Sequence, residues 1–358
     1  MTWPSLMGLF KANSPQWVWI ISPLWFAPVI LAVNGGTADW AAIGVFLAAV
    51  TVGMGVAEFS GTYSDREEDR LYGPTNPLVT GELDAATARK AFILQNVLAG
   101  SLGFALMLLT RNYALTIVMI LGWFIALAYS LPPLRFKETL AAPFFHGLGI
   151  ALLVVFGWLV VAPLSAFAAA FAGFLFVNSF GFGITMKFRK TLLARDSGLV
   201  QAEPGSSIYD LSTVGLKISV RTATAVETIA TLSAFALVPV FWHLGIFDAA
   251  VSILLLALPL PVAVLAFALR FKDPVKNGQT SVWLLGLSWV LVILSLLAVA
   301  VAGLVPWGFA ALACVALILV FSLLVRIVHP WGCKSPAGRE RPRAQAPLVS
   351  LQQELKRP

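Results

Sequence analysis

Apolar residues run through this chain in long blocks, separated by short clusters of charge, proline and glycine. A helix of about 20 residues crosses a hydrocarbon core, so each block reads as one span. The pattern predicts ten spans, near 17–33, 40–60, 91–109, 113–131, 144–163, 165–186, 223–243, 248–270, 282–303 and 306–328. The first block, Trp17 to Val33, has aromatic flanks, internal Pro23 and Pro28 and no small-residue cleavage pattern after it. It reads as a retained helix and not as a signal peptide.

Composition strengthens this picture. Of 358 residues, 59% are hydrophobic and 11% charged, with mean hydropathy +0.87, whereas a soluble domain carries roughly 25% charged residues. A water-soluble enzyme is thereby excluded. The expected fold class is all-α, a polytopic membrane bundle of about nine to ten transmembrane helices forming one domain over residues 1–330. Residues 331–358 form a basic tail rich in Pro, Gly, Gln, Arg and Lys, expected to be disordered and attracted to anionic lipid headgroups. Cys314 lies in an apolar run and Cys333 in the tail, a placement that supports neither a disulfide framework nor a zinc site.

The net charge of +7 is explained by topology. With ten spans, 23 of the 24 Lys and Arg fall on the side that holds the N-terminus, the loops after even-numbered spans and the tail, leaving Arg111 alone on the other. The positive-inside rule then places both termini and the long polar loops in the cytoplasm, in what is expected to be a bacterial inner membrane. The basic residues are scattered without aromatic interleaving, so nucleic acid is not an expected partner.

Chemistry is therefore expected in the cytoplasmic cap, at loops 61–90, 132–143 and 187–221. In the first, Glu58, Asp65 and Asp69 follow at intervals of seven and four residues. On a continued helix all three carboxylates share one face, a set suited to Mg²⁺ shared with a phosphate. A solvated helix end, with Arg66 and Arg70 pairing with acidic neighbours, fits the same spacing. The second loop, Tyr129-Ser-Leu-Pro-Pro-Leu-Arg135-Phe-Lys137, breaks the fourth span at Pro132-Pro133 and is expected to hold Arg135 and Lys137 on one side of an extended turn. Such a pair suits a diphosphate, and also suits a pair of topology anchors.

These segments together resemble the UbiA-type intramembrane prenyltransferases. The family's first motif has the form Asn-Asp-x-x-Asp-x-x-x-Asp, followed by Arg-Pro-Leu-x-x-Gly, and its fourth span ends in Tyr-Ser-x-Pro-Pro-x-Arg-x-Lys. The corresponding runs are Gly61 to Asp69, Asn76 to Gly81, and Tyr129 to Lys137. The resemblance covers roughly residues 15–300, so the tenth span exceeds the family's usual nine. It implies that Asp65 and Asp69 hold Mg²⁺ on the diphosphate of a polyprenyl donor, and that Arg135 and Lys137 bind the leaving group, with Tyr129 beside them. The prenyl cation would then pass to a lipophilic acceptor, aromatic or isoprenoid, in a water-free cavity.

The chain departs from the pattern at three places. Gly61 and Thr62 replace the leading Asn-Asp, with Glu58 one turn earlier as a substitute oxygen; Asn76 replaces the Arg of the short element. After the sixth span the family carries a second Asp-x-x-x-Asp motif, where this chain has Lys187, Arg189 and Lys190. These cations either bind the diphosphate directly, replacing a second metal, or mark a degraded site, with Asp196 and Asp210 as displaced ligands. Asn178 is expected in the cavity wall, and His146 fits either an acceptor base or an interface residue. Two further readings stay open: a cyclase of the same fold acting on the donor alone, and a non-catalytic isoprenoid-lipid carrier or assembly subunit.

Overall fold

The computed structural model of the protein describes residues 3–14, 18, 21–33, 39–66, 69, 76–196, 220–273 and 276–302, and every regular element among them is helical. In chain order these are α1 (Trp3–Ala12), α2 (Pro23–Val33), α3 (Trp40–Ser64), α4 (Pro77–Thr80), α5 (Ala85–Thr110) and α6 (Tyr113–Ser130). A 3-10 turn at Phe136–Glu138 leads to α7 (Ala142–Leu159), α8 (Ala166–Asp196), α9 (Val220–His243), α10 (Ala249–Ala257), α11 (Pro259–Lys272) and α12 (Gly278–Ala302). Eight helical stretches among the described residues are long and apolar enough to cross a membrane, with α10 and α11 forming one of them, and α2 is a shorter apolar helix. The chain is an integral multi-pass membrane protein. The expected span 306–328 and the tail 331–358 lie outside the described residues.

Helix ends follow local chemistry. Asp39, Asn112 and Asp248 cap α3, α6 and α10, each accepting hydrogen bonds from backbone N–H groups of the first turn, and Arg111 closes α5 at φ 48°. A cap satisfies donors that have no intrahelical partner, which matters most where water is scarce. The few polar residues of the expected outer side thus serve helix ends. The expected eighth span is broken at Leu258, ahead of Pro259, into α10 and α11. Ser288 Oγ donates to the Pro259 carbonyl at 2.7 Å, so a carbonyl at the break has a partner inside the bundle.

Lipid removes the hydrophobic drive between helices, so close packing and internal polar bonds must hold them together. The α7–α8 crossing shows how. A Cβ on Gly147 would stand 2.6 Å from the Phe176 carbonyl oxygen, and one on Gly183 would stand 3.0 Å from Pro143 Cα. These glycines let the two backbones meet, and α7 also packs on α2 and α6, while α8 packs on α9 and α12. The main core is built chiefly from α2, α3, α7, α8, α9, α11 and α12 around Phe46, Phe171, Phe174 and Trp289. A smaller cluster of Ala12, Phe59, Leu83 and Ala88 ties α1 to the end of α3.

Candidate active site

The acidic end of α3 is placed by three polar contacts with neighbouring elements. Ser60 Oγ donates to the Ala126 carbonyl of α6 at 3.3 Å, and Thr62 Oγ1 donates to the Ala12 carbonyl of α1 at 3.0 Å. Asn76 Nδ2 donates to the Thr62 carbonyl at 2.7 Å. The helix ends at Ser64, with Asp65 as its C-cap at φ −90°, ψ −1°. The chain then turns once more, and the Asp69 N–H bonds the Asp65 carbonyl at 2.7 Å. Helical winding thus continues past the end of α3 to Asp69, and Glu58, earlier on α3, is hydrogen-bonded to Ser14.

The second loop approaches the same point. Pro132-Pro133 is a cis bond, and the Arg135 N–H returns to the Leu131 carbonyl at 3.0 Å, so the chain makes a compact turn. Arg135 sits at φ 41° and the next residues form the 3-10 turn. The expected extended turn is corrected accordingly, because the backbone folds back on itself after the span instead of running on. Both cations still converge on the end of α3. Lys137 Nζ donates to Ser64 Oγ at 2.6 Å and forms an ion pair with Asp65, while Arg135 Nη2 donates to the Ser64 carbonyl at 3.2 Å.

Lys137 is only 5% exposed, so its ammonium has lost most of its hydration, and the Asp65 carboxylate is what makes that burial tolerable. Arg135 also pairs with Glu138 at 2.8 Å, yet its buried Nε has no hydrogen-bond partner among the described residues. A buried orphan donor on a guanidinium facing an acidic helix end is a receptive point for an anion. Tyr129, one residue before the last of α6, lies within electrostatic reach of Asp65. On the other side, Asn76 Nδ2 also donates to Asp69 Oδ2 at 2.9 Å, and its Oδ1 caps α4 through the Leu78 N–H.

The donor set suits Mg²⁺ that shares its ligands with a phosphate. Among the described residues no group of three or more His, Cys, Asp or Glu converges at metal-binding distance. Mg²⁺ keeps several waters and is commonly held by one or two carboxylates together with substrate phosphates, so Asp65 and Asp69 on successive turns fit that demand.

The remaining expected residues fall elsewhere. Lys187, Arg189 and Lys190 lie in the last turns of α8. Four residues before Lys187, Gly183 of α8 meets α7 at Pro143 and His146, a few residues after the Arg135–Lys137 loop. Asp196 ends α8, and Asp210 lies outside the described residues. His146 is half-buried, 6.1 Å from the Phe182 ring. Asn178, only 4% exposed, lines a pocket deeper in the bundle with Glu227, Thr231 and Trp289.

Sequence reasoning marks Glu227 as a costly polar group in an apolar span but misses its partner. Glu227 of α9 and Arg270 of α11 are each 1% exposed and joined at 2.5 Å. Thr185 hydrogen-bonds Glu227, Ser281 accepts from Arg270 Nε at 3.0 Å, and the Phe188 ring lies 4.6 Å from the guanidinium carbon. The signal was present, since opposite charges at the ends of two apolar runs need partners, but Arg270 reads equally well as a topology cation.

A model of the UbiA prenyltransferase family matches residues 20–285. Among solved structures, that of a digeranylgeranylglyceryl phosphate synthase in membranes aligns with TM-score 0.56 at 16% identity, covering 81% of this chain and 99% of that one. A UbiA homolog from Archaeoglobus fulgidus bound to DMAPP and Mg²⁺ aligns with TM-score 0.56 at 17% identity, over 79% of this chain and 98% of that one. The same description bound to GPP and Mg²⁺ gives TM-score 0.51 at 17% identity, over 82% and 99%. No curated protein matches the chain in sequence.

Proposed function

We infer that this chain, which belongs to the UbiA prenyltransferase family, takes the prenyl group from a polyprenyl diphosphate and passes it to a lipophilic acceptor within the membrane. The observation that carries this reading is the convergence of Arg135 and Lys137 on the acidic end of α3 at Ser64 and Asp65. Opposite charges gathered at one buried helix end suit a ligand that is itself a metal-bound polyanion.

In this reading Arg135 offers its orphan Nε–H to a diphosphate oxygen, and Lys137 exchanges its contact with Asp65 for a second one. Asp65 and Asp69 hold Mg²⁺, which when bound neutralises charge on the leaving diphosphate. The allylic carbon–oxygen bond breaks with its electron pair remaining on diphosphate, and an acceptor nucleophile captures the carbocation and then loses a proton. Lys187, Arg189 and Lys190, in the last turns of α8, supply cationic charge where the family's second acidic motif would stand. The charge distribution supports a cytoplasmic cap with both termini on that side. The solved relatives bound to DMAPP or GPP with Mg²⁺ are consistent with a prenyl diphosphate donor and a magnesium requirement here.

The test is magnesium-dependent release of diphosphate from farnesyl, geranylgeranyl and longer donors by the purified protein, with and without a membrane-lipid extract as acceptor source. Asp65→Ala is expected to abolish release. Loss in Lys187→Ala as well assigns the basic turn to diphosphate binding. The basic run at Lys187, Arg189 and Lys190 specifically favours one rival, a non-catalytic prenyl-diphosphate carrier. Binding of every donor with no release from any would select that rival.

A further inference from the structure

The apolar stretch of α8 ends at Met186, yet the helix runs on to Asp196 and carries Lys187, Arg189 and Lys190 on this extension. The root of the extension is clamped by one guanidinium. Arg270 of α11 lies over the Phe188 ring, its guanidinium carbon 4.6 Å from the ring centre. Its Nε donates to Ser281 Oγ of α12 at 3.0 Å, and its Nη1 donates to Glu227 of α9 at 2.5 Å. Glu227 in turn accepts from Thr185, three residues before Phe188 on α8. All of these side chains are buried.

Stability does not account for this arrangement. Well-packed apolar side chains often replace a buried ion pair without loss, and Arg270 Nη2 is buried with no hydrogen-bond partner among the described residues, which is a further cost. What the guanidinium offers that an apolar side chain does not is direction. Its planar fork fixes the angles to Glu227 and Ser281 while its face carries the ring. Phe188 is the chain neighbour of both Lys187 and Arg189, so holding the ring holds the backbone of the basic turn. The clamp grips α8 at Thr185 and at Phe188, and two holds close to one turn apart fix the helix about its axis as well as along it.

We propose that Arg270 is a positioning residue. Through Phe188 and the Glu227–Thr185 bond it sets the place of the basic turn of α8, and with it the affinity for the donor diphosphate, without touching the donor. The effect on the donor rests on the prenyl-transfer reading, whereas the placement of the turn is independent of it.

The experiment uses the full chain in lipid nanodiscs, with Cys314 and Cys333 replaced by Ser and nitroxides at Ala86→Cys, in the first turn of α5, and Ala194→Cys, near the end of α8. Pulsed electron paramagnetic resonance then gives the distance between the labels without donor. A narrow distribution is expected, widening clearly in Phe188→Leu and in the double variant Glu227→Met/Arg270→Met. Phe188→Leu leaves the ion pair intact, so it stays informative if the double variant misfolds. For whichever of farnesyl, geranylgeranyl and longer donors the unsubstituted chain cleaves, both variants are expected to raise KM about tenfold or more with kcat nearly unchanged, the signature of lost ground-state binding. A distribution that is broad before substitution or stays narrow after it overturns the proposal, and so does an unchanged KM in a variant whose distribution has widened. No release from any donor would refute the prenyl-transfer reading and leave the distance measurement to decide the placement.

Discussion

The side-chain amide of Asn76 donates at 2.9 Å to Asp69 Oδ2 and at 2.7 Å to the Thr62 carbonyl, so one residue ties the second carboxylate to the helix that carries the first. Asn76 is 5% exposed and stands where the family's short element has an arginine. In the proposed reading it would orient a metal ligand in place of gripping phosphate. Partners of metal ligands typically contribute 10–100-fold to metal affinity. Asn76→Ala is therefore expected to raise the Mg²⁺ concentration for half-maximal diphosphate release about tenfold or more, with little change in rate at saturating Mg²⁺. A titration of release against Mg²⁺ checks this.

Lys137 makes an opposed pair of predictions. Its removal in Lys137→Met frees Asp65, so binding of Mn²⁺ without donor, followed by electron paramagnetic resonance, should tighten. Diphosphate release should meanwhile fall about 100-fold, the scale of losing one preorganised charge at a leaving group. A variant that weakens both would mean that Lys137 holds the shape of the site and not its charge.

Removing one partner of a buried ion pair leaves an uncompensated charge, at a cost of about 3–5 kcal/mol, whereas replacing both by apolar groups is often neutral. Glu227→Met and Arg270→Met alone are each expected to lower the unfolding free energy in mixed micelles by about that amount. The double substitution should recover most of it. An additive double variant would show that Thr185 and Ser281, not the charge pair, hold these helices together.

The α7–α8 crossing tolerates no side chain at Gly147. A Cβ there stands 2.6 Å from a backbone oxygen that cannot rotate away. Gly147→Ala is expected to destabilise the bundle by about 1–3 kcal/mol, the usual range for overpacking. Thermal unfolding in a fixed detergent measures it.

Long apolar runs bounded by punctuation made the helices legible. The expected span 113–131 corresponds to α6, Tyr113–Ser130, because Asn112 caps its start and Pro132 follows its end. Hydropathy failed where helices leave the membrane: α5 begins at Ala85 instead of 91, launched by the Asp84 cap through the polar turn before Phe92, and α8 runs on to Asp196. The break at Pro259 does not show in an apolar count. At the site, the Arg135 and Lys137 string was legible as a motif, but its compact turn was not, since spacing says nothing about a backbone that doubles back. The Glu227 partner of Arg270 was hidden for a related reason: it lies 43 residues away in sequence, and only the fold brings it near.

The opening of the chain belongs to this machinery. Lys11 pairs with Glu82 at 2.6 Å, Ala12 receives Thr62, Gln95 donates to Asn13 Oδ1 at 2.5 Å, and Ser14 meets Glu58. Residues 11–14 therefore act as a strap across the same stretch of α3 that presents Asp65. For anyone preparing the protein, trimming the first fourteen residues to ease expression would unbuckle that strap and loosen the acidic end it holds.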